Sequence, residues 1–374
     1  MKICIVTRSV IKGDGQGRAN YEVVWEAIRR GYEITLIATN VAPDLQRNSK
    51  VTWIHIPVKG YPTQLLSSLV FSQRSEAWLK KHRHDFDIIQ VYGAVTDVEA
   101  DINTIQFVHT AWFKSPMHIS HTRRDSYGIY QWLYTALNAS WERKALRQAK
   151  VVVAVSEKIK QDLIDVGVLP DKIQIILNGV DLEEFTPGST ERSSLGLPEG
   201  VPLALFVGDI RTNRKNLDTV LRALGEVPNL HLVVVGAVEG SPYPDLAAKL
   251  AVDQRVHFLD FRRDVAAIMK AVDLFVFPSR YEACTLVLLE AMASGLPVIT
   301  AATAGGAEIV TPECGVVLSD SEDVHTLIRS LNELVNDSAR RTQMGQAARA
   351  IAEQHSWVSK ARDYVDLFEA LAGS

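Results

Sequence analysis

Residues 273–301 read DLFVFPSRYEACTLVLLEAMASGLPVITA, and their alternation decides the fold class. DLFVFPS is a short apolar run ended by a proline, TLVLLEAMASG is a helical stretch closed by Gly295, and PVITA is a second strand-like run. Strand, helix and strand in this order form a βαβ unit with parallel strands. The same rhythm runs outward. LALFVGD, HLVVVGA and VHFLD precede the quoted stretch, and KICIVT, EITLIAT, FDIIQVY, NTIQFVHT and KVVVAVS recur near the start, separated by helical sequence such as YEVVWEAIRRG. Parallel sheets covered on both faces follow.

The chain has 374 residues, more than one hydrophobic core usually organises. Residues 174–202 are rich in glycine, proline and serine and mark a join. The expected organisation is a Rossmann-like domain over residues 1–180, a linker over 181–200, a second Rossmann-like domain over 201–350, and a C-terminal helix over 351–374 returning to the first domain or staying on the second. In doubly wound α/β sheets ligands bind at the carboxyl ends of the strands, so two such sheets facing each other place the expected site in the cleft between them.

Composition is that of a soluble globular protein, 47% hydrophobic and 22% charged. Cys4, Cys284 and Cys314 have neither disulfide nor metal-ligand spacing, which suggests a reducing compartment. MKICIVTRSV is too short an apolar start for a signal peptide, and no run approaches the roughly 18 apolar residues of a membrane span. The expectation is a cytoplasmic protein. Net charge is −4, but residues 1–180 carry 23 basic and 17 acidic side chains (+6) and the remainder 17 and 27 (−10). An anionic contact of the first half, such as the inner face of a membrane, and a merely solvated basic face fit this equally.

Two clusters could carry chemistry. VGDIRTNRKNLDTVLRAL, residues 207–224, leaves a strand at Gly208 and enters a helix near Asn216, with Arg211, Arg214 and Lys215 in the turn. Cations beside a helix N-terminus suit a diphosphate. In the quoted stretch, Glu282 and Glu290 stand eight positions apart, roughly 12 Å along a helix, too far to share a proton. The backbone amides of Cys284, Thr285, Leu286 and Val287 would open the helix between them.

YEACTLVLLEAMASGLPVITAATAGGAEIV, residues 281–310, resembles the signature of the retaining glycosyltransferases of family four, which have the GT-B fold: two glutamates separated by seven residues, then A-M-A-x-G-x-P-V-I, then G-G-x-E-I-V. LNGVD, VGDIRTNRKN, HFLDF, AVDLFVFPS and GDGQGRANYEVV extend the likeness over nearly the whole chain. The resemblance implies that Glu282 binds the donor sugar near its reacting face, Glu290 the ribose hydroxyls, and Lys215 with an arginine the diphosphate. Relatives place that arginine where this chain has Asp209, so Arg211 or Arg214 replaces it. Ala283 and Thr285 stand where relatives carry glycines, which reshapes the sugar pocket. His109, read as the end of the strand TIQFVHT, corresponds to a histidine close to the anomeric carbon, and Gly17 to a backbone amide near the donor phosphate. Gly13, Gly15 and Gly17 also resemble part of a dinucleotide fingerprint, but EITLIATN ends without the acidic residue that would hold a ribose.

The function expected from this is retaining transfer of a sugar from a nucleotide-sugar donor to a glycan, lipid or small-molecule acceptor, with no cofactor and no metal. It has a front-face mechanism in which the leaving phosphate assists deprotonation of the acceptor. The segment TAWFKSPMHISHTRRDSYGIYQWLYTALNASWERKALRQAK mixes aromatic and basic residues and reads as interfacial membrane contact, as an acceptor surface, or as ordinary helices. Net negative charge and the lack of a recognition motif argue against nucleic acid. The rival is a GT-B-like protein that binds a nucleotide sugar or glycan without transferring it.

Overall fold

The computed structural model describes residues 1–12 and 15–373, with Thr122 described by its backbone alone. Gly13 of the glycine-rich turn lies outside the described residues. The chain divides into two compact units, Met1–Gly179 with Trp357–Ser374, and Val180–Ser356.

In the first unit seven parallel strands follow the order Val51–His55, Glu33–Ala38, Lys2–Val6, Ile88–Tyr92, Ala100–Ile105, Ala149–Ala154 and Ile173–Ile175. In the second, six parallel strands follow the order Val256–Phe258, His231–Val235, Leu203–Val207, Leu274–Phe277, Val298–Ala301 and Gly315–Leu318. Central strands such as Leu203–Val207 and Leu274–Phe277 are buried at every position. Burial on both faces is why they read as continuous apolar runs rather than as alternating ones.

Each sheet grows outward in both directions from its first strand. Lys2–Val6 pairs with both Glu33–Ala38 and Ile88–Tyr92, and Leu203–Val207 with both His231–Val235 and Leu274–Phe277. At such a reversal the loops leaving two adjacent strands diverge to opposite faces, and a crevice opens at their carboxyl ends. The reversals lie after Val6 and Tyr92 in the first unit and after Val207 and Phe277 in the second.

Two expected boundaries are corrected. Residues 181–200 are not a free linker but part of the second unit, because Phe185 and Leu197 are buried in its core and Arg192 donates to the carbonyls of Ala271 and Val201 and pairs with Asp273. Residues 351–356 stay with the second unit, and the helix that joins the first is Trp357–Ala372. Its Val365 and Phe368 are wholly buried beside Val24 and Ala27 of the helix Gly15–Arg29, while Arg30 and Tyr32 hold Glu369. A Cβ on Gly179 would fall 2.6 Å from the Trp357 backbone, so the close crossing of these two segments requires glycine. Among the described residues no helix is long and apolar enough to cross a membrane.

Candidate active site

In the second unit the chain leaves the strand Leu203–Val207 through Gly208 and Asp209. The Asp209 carboxylate accepts from the backbone and guanidinium of Arg211, a pair about half exposed to water. A single helical turn, Asn213–Lys215, follows, and then Asn216 in the left-handed region at φ 66°. Asparagine tolerates that conformation better than most side chains. Its fully buried side-chain amide donates to the carbonyls of Pro278 and Ser321, at 2.8 and 2.7 Å. Arg280 adds a second brace. Its amide donates to the Arg214 carbonyl, and its guanidinium, only 8% exposed, grips Asp218 and Glu322 and donates to the Asn213 carbonyl.

This bracing fixes where Arg214 and Lys215 point. Arg214 Nη1 and Lys215 Nζ both donate to Oε1 of Glu282, at 2.5 Å each. Lys215 also lies 5.3 Å from the Phe277 ring centroid. Burial pulls the Lys215 pKa down, and Glu282 opposes that pull. Glu282 comes from the loop after the neighbouring strand, where a parallel bridge to Ala304 and the Gly305 amide hold its backbone. The three side chains therefore meet across the strand reversal, two cations on one carboxylate. Of the two arginines left open by the sequence, the structure brings Arg214 to Lys215 and draws Arg211 onto Asp209.

The helix behind Glu282 spans Leu286–Ala293, with Thr285 as its cap. One expectation is corrected here: the Thr285 amide is not open to a ligand, since it donates to the Gly305 carbonyl at 2.8 Å. Leu286 and Val287 supply the first-turn amides. The Thr285 hydroxyl is buried without a hydrogen-bond partner among the described residues. Glu290, one turn on, is partly buried, and among the described residues no cation or donor meets its carboxylate. Burial, with the charge of Glu184 adding to it, pushes its pKa up to about 7.

In the first unit the strand stops at Ile105, and His109 opens the short helix His109–Lys114 rather than ending a strand. Sequence reasoning missed the residue that causes this. Glu142, buried in the helix Ser126–Gln148, accepts from the amides of His109 and Thr110 at 2.7 and 3.1 Å and from the Thr110 hydroxyl at 2.9 Å, capping the short helix from a distance of 33 residues. No local pattern signals such a cap. His109 lies against Phe107 and Tyr134, its Nδ1 is buried without a partner among the described residues, and burial lowers its pKa to about 4. It is therefore a neutral imidazole at pH 7. It lines a cavity of about 230 Å³ at this unit's strand reversal, together with Arg8, Ser68, Phe71, Tyr134 and Glu142. Gly17 is buried in the first turns of the helix Gly15–Arg29. Among the described residues no group of three or more His, Cys, Asp or Glu side chains could hold a metal ion.

Residues 13–184 match the Glycosyltransferase Family 4 model, and residues 189–351 match Glycosyl transferases group 1. A D-inositol 3-phosphate glycosyltransferase of Corynebacterium aurimucosum is 30% identical over 307 residues, 76% of this chain and 72% of that protein. The chain belongs to the family-four glycosyltransferases. Its fold is shared with sucrose-phosphate synthase of Thermosynechococcus elongatus, at TM-score 0.81 and 19% identity with all of both chains covered. Anabaena HepE solved with UDP-glucose is also similar, at TM-score 0.69 and 20% identity over 99% of this chain and all of that one. The GT-B architecture of two Rossmann-like units is thus established, and the chain is a glycosyltransferase.

Glu290, unpaired among the described residues, has a measurable signature. A carboxyl whose folded pKa lies near 7, above its ordinary 4.5, destabilises the fold progressively as pH rises from about 4.5 and fully above about 7. Glu290→Gln should therefore stabilise the protein by about 1–3 kcal/mol at pH 8, with the gain shrinking towards zero near pH 4. Chemical denaturation at both pH values checks this, and a gain that is the same at pH 4 and pH 8 contradicts it.

Proposed function

We propose that the enzyme transfers a sugar from a nucleotide-sugar donor with retention of configuration and without a metal. The observation that carries the donor reading is the convergence of Arg214 and Lys215 on Glu282 at the strand reversal. Two braced cations beside the first-turn amides of Leu286 and Val287 suit a diphosphate leaving group, whose growing negative charge they would stabilise without reorganising. On this reading the Glu282 carboxylate occupies the cations until the donor's phosphates take its place, and it is then released to the hydroxyls of the donor sugar. Glu290, which meets no partner among the described residues, accepts from the ribose hydroxyls. UDP is the first nucleotide to test, since HepE, which shares the fold, was solved with UDP-glucose.

Retention is supported by the family and by the roles available to the side chains. His109, neutral at pH 7, is a hydrogen-bonding group rather than a cation, and it orients the sugar and eases positive charge at its ring. The acceptor's proton then passes to the leaving phosphate in a front-face transfer. Arg214 and Lys215 supply the charge that a divalent ion would otherwise bring, which supports metal independence.

A peripheral membrane contact of the first unit has its own support. Ile129, Trp132, Leu133 and Leu137 form one exposed stripe on the helix Ser126–Gln148, with Arg124, Arg143 and Arg147 exposed nearby. Aromatic and aliphatic side chains flanked by arginines suit an anionic bilayer surface. Replacing Trp132 and Leu133 together by serine should lower co-sedimentation with anionic vesicles by about 10-fold or more, from the apolar surface removed. Unchanged sedimentation would remove the stripe from any membrane role.

Calorimetry with UDP tests the phosphate turn. Lys215→Ala and Arg214→Ala should each cost about 1.5–3 kcal/mol of binding, the scale of hydrogen bonds to charged groups. Arg211→Ala should cost far less, because Asp209 already holds it. Glu282→Gln should leave UDP binding equal or tighter yet weaken UDP-sugar binding. A dominant loss at Arg211 would reassign the turn.

His109→Ala should leave UDP affinity nearly intact while lowering turnover roughly 100-fold or more, as loss of a positioned electrostatic group does. Steady-state assays over a donor panel, with slow donor hydrolysis as the fallback readout, measure this. Normal turnover would give His109 a purely structural role.

A further inference from the structure

We propose that the cavity of the first unit recognises an acceptor bearing an oxyanion, a phosphate or a carboxylate, through Arg8. This rests on the transferase reading above and specifies the class of acceptor.

Arg8 stands two residues beyond the strand Lys2–Val6, at the strand reversal where the fold opens its crevice. Its carbonyl accepts from the amides of Thr39 and Asn40, which pins the backbone. Its guanidinium donates to Ser68 Oγ at 2.9 Å and lies 5.8 Å from the Phe71 ring centroid. Among the described residues no carboxylate pairs with it, and burial lowers its pKa. A guanidinium drawn partly out of water with no counter-ion carries a desolvation cost that a bound anion would offset.

Among the described residues one carboxylate lines the same cavity, and it is engaged elsewhere rather than with Arg8. Glu142 already accepts three hydrogen bonds, from the His109 and Thr110 amides and the Thr110 hydroxyl. Ser68 lies in the first turns of the helix Gln64–His82, which has no acidic residue in its first turn, so the positive end of a 19-residue helix adds to the field at Arg8. The cavity, about 230 Å³, is below the roughly 300 Å³ at which drug-sized sites begin, so it takes a compact group. A neutral sugar there would leave the guanidinium fork unmatched, whereas a phosphate or carboxylate matches it with two parallel donors. His109 lines the same cavity, so an acceptor anchored at Arg8 is held beside the residue proposed to act on the donor sugar.

The test is calorimetry of the full-length protein, saturated with UDP, against matched pairs: myo-inositol and inositol 1-phosphate, and glucose and glucuronate. Phosphatidylcholine vesicles with and without phosphatidylinositol form a third arm, which separates a lipid-borne phosphate from a soluble one. At least one anionic member should bind about 10-fold or more tightly than its neutral twin, the scale of one charged hydrogen-bonded pair. Arg8→Gln should collapse that preference to near parity, and Arg8→Lys, which keeps the charge but not the fork, should retain part of it. Equal binding of both members in every pair, or a preference that survives Arg8→Gln, overturns the proposal. Should Arg8→Gln fail to fold, competition by inorganic phosphate against the preferred anion on the wild-type protein decides, and absence of competition overturns it. Titration of the wild type with UDP and the other nucleotides of the donor panel distinguishes the two readings: a protein that binds none of them sinks the donor-site reading, while the anion preference can still be measured without UDP.

Discussion

The reversal of strand order in each sheet is the constraint on which the rest depends. Because Leu203–Val207 is flanked by the second and fourth strands of its unit, the loops that follow the first and fourth strands are neighbours in space though about 70 residues apart in sequence. One loop delivers Arg214 and Lys215, the other Glu282. The same arrangement in the first unit delivers Arg8 from one loop, and His109 stands at the same strand ends. Chemistry thus concentrates where the hydrogen-bonded ladder leaves a crevice, and the buried strands around it supply rigidity.

On the proposed reading, rigidity matters because the cations are in place before charge develops. Asn216 in its left-handed conformation and Arg280 between Asp218 and Glu322 fasten the turn to the loop beside it. Neither side chain has a proposed contact with the reacting atoms; they set the direction of those that do. The unmet groups point the other way. The Thr285 hydroxyl, His109 Nδ1 and the Glu290 carboxylate lack partners among the described residues, and such groups cost stability that a ligand can restore. In each unit a braced framework with unsatisfied polar groups is prepared to bind.

Much of this was legible in the sequence, for identifiable reasons. Continuous apolar runs alternating with helical stretches gave parallel strands, and cations after a strand-ending glycine marked the turn that carries Arg214 and Lys215. The two glutamates stood out through the motif around them. What escaped depended on contacts distant in sequence. Nothing local tells that Asp209 captures Arg211, that the Thr285 amide is spent on Gly305, or that Glu142 caps a helix 33 residues before it. The break at Trp357 was blurred because Ser338–Ala352 and Trp357–Ala372 both read as helix, and only the burial of Phe368 beside Val24 shows that the second belongs elsewhere. Arg8 could have been found: a cation just past the first strand lies at the reversal in any doubly wound sheet.

The central claim is that the second unit holds a nucleoside diphosphate across its strand reversal. Hydrogen–deuterium exchange of the full-length protein with and without UDP tests it most directly, because amide protection reports ordering segment by segment. The account predicts protection over residues 208–217 and 279–290, the two loops that carry Arg214, Lys215, Glu282 and Glu290. Protection that leaves both segments unchanged and falls on other parts of the chain would contradict it.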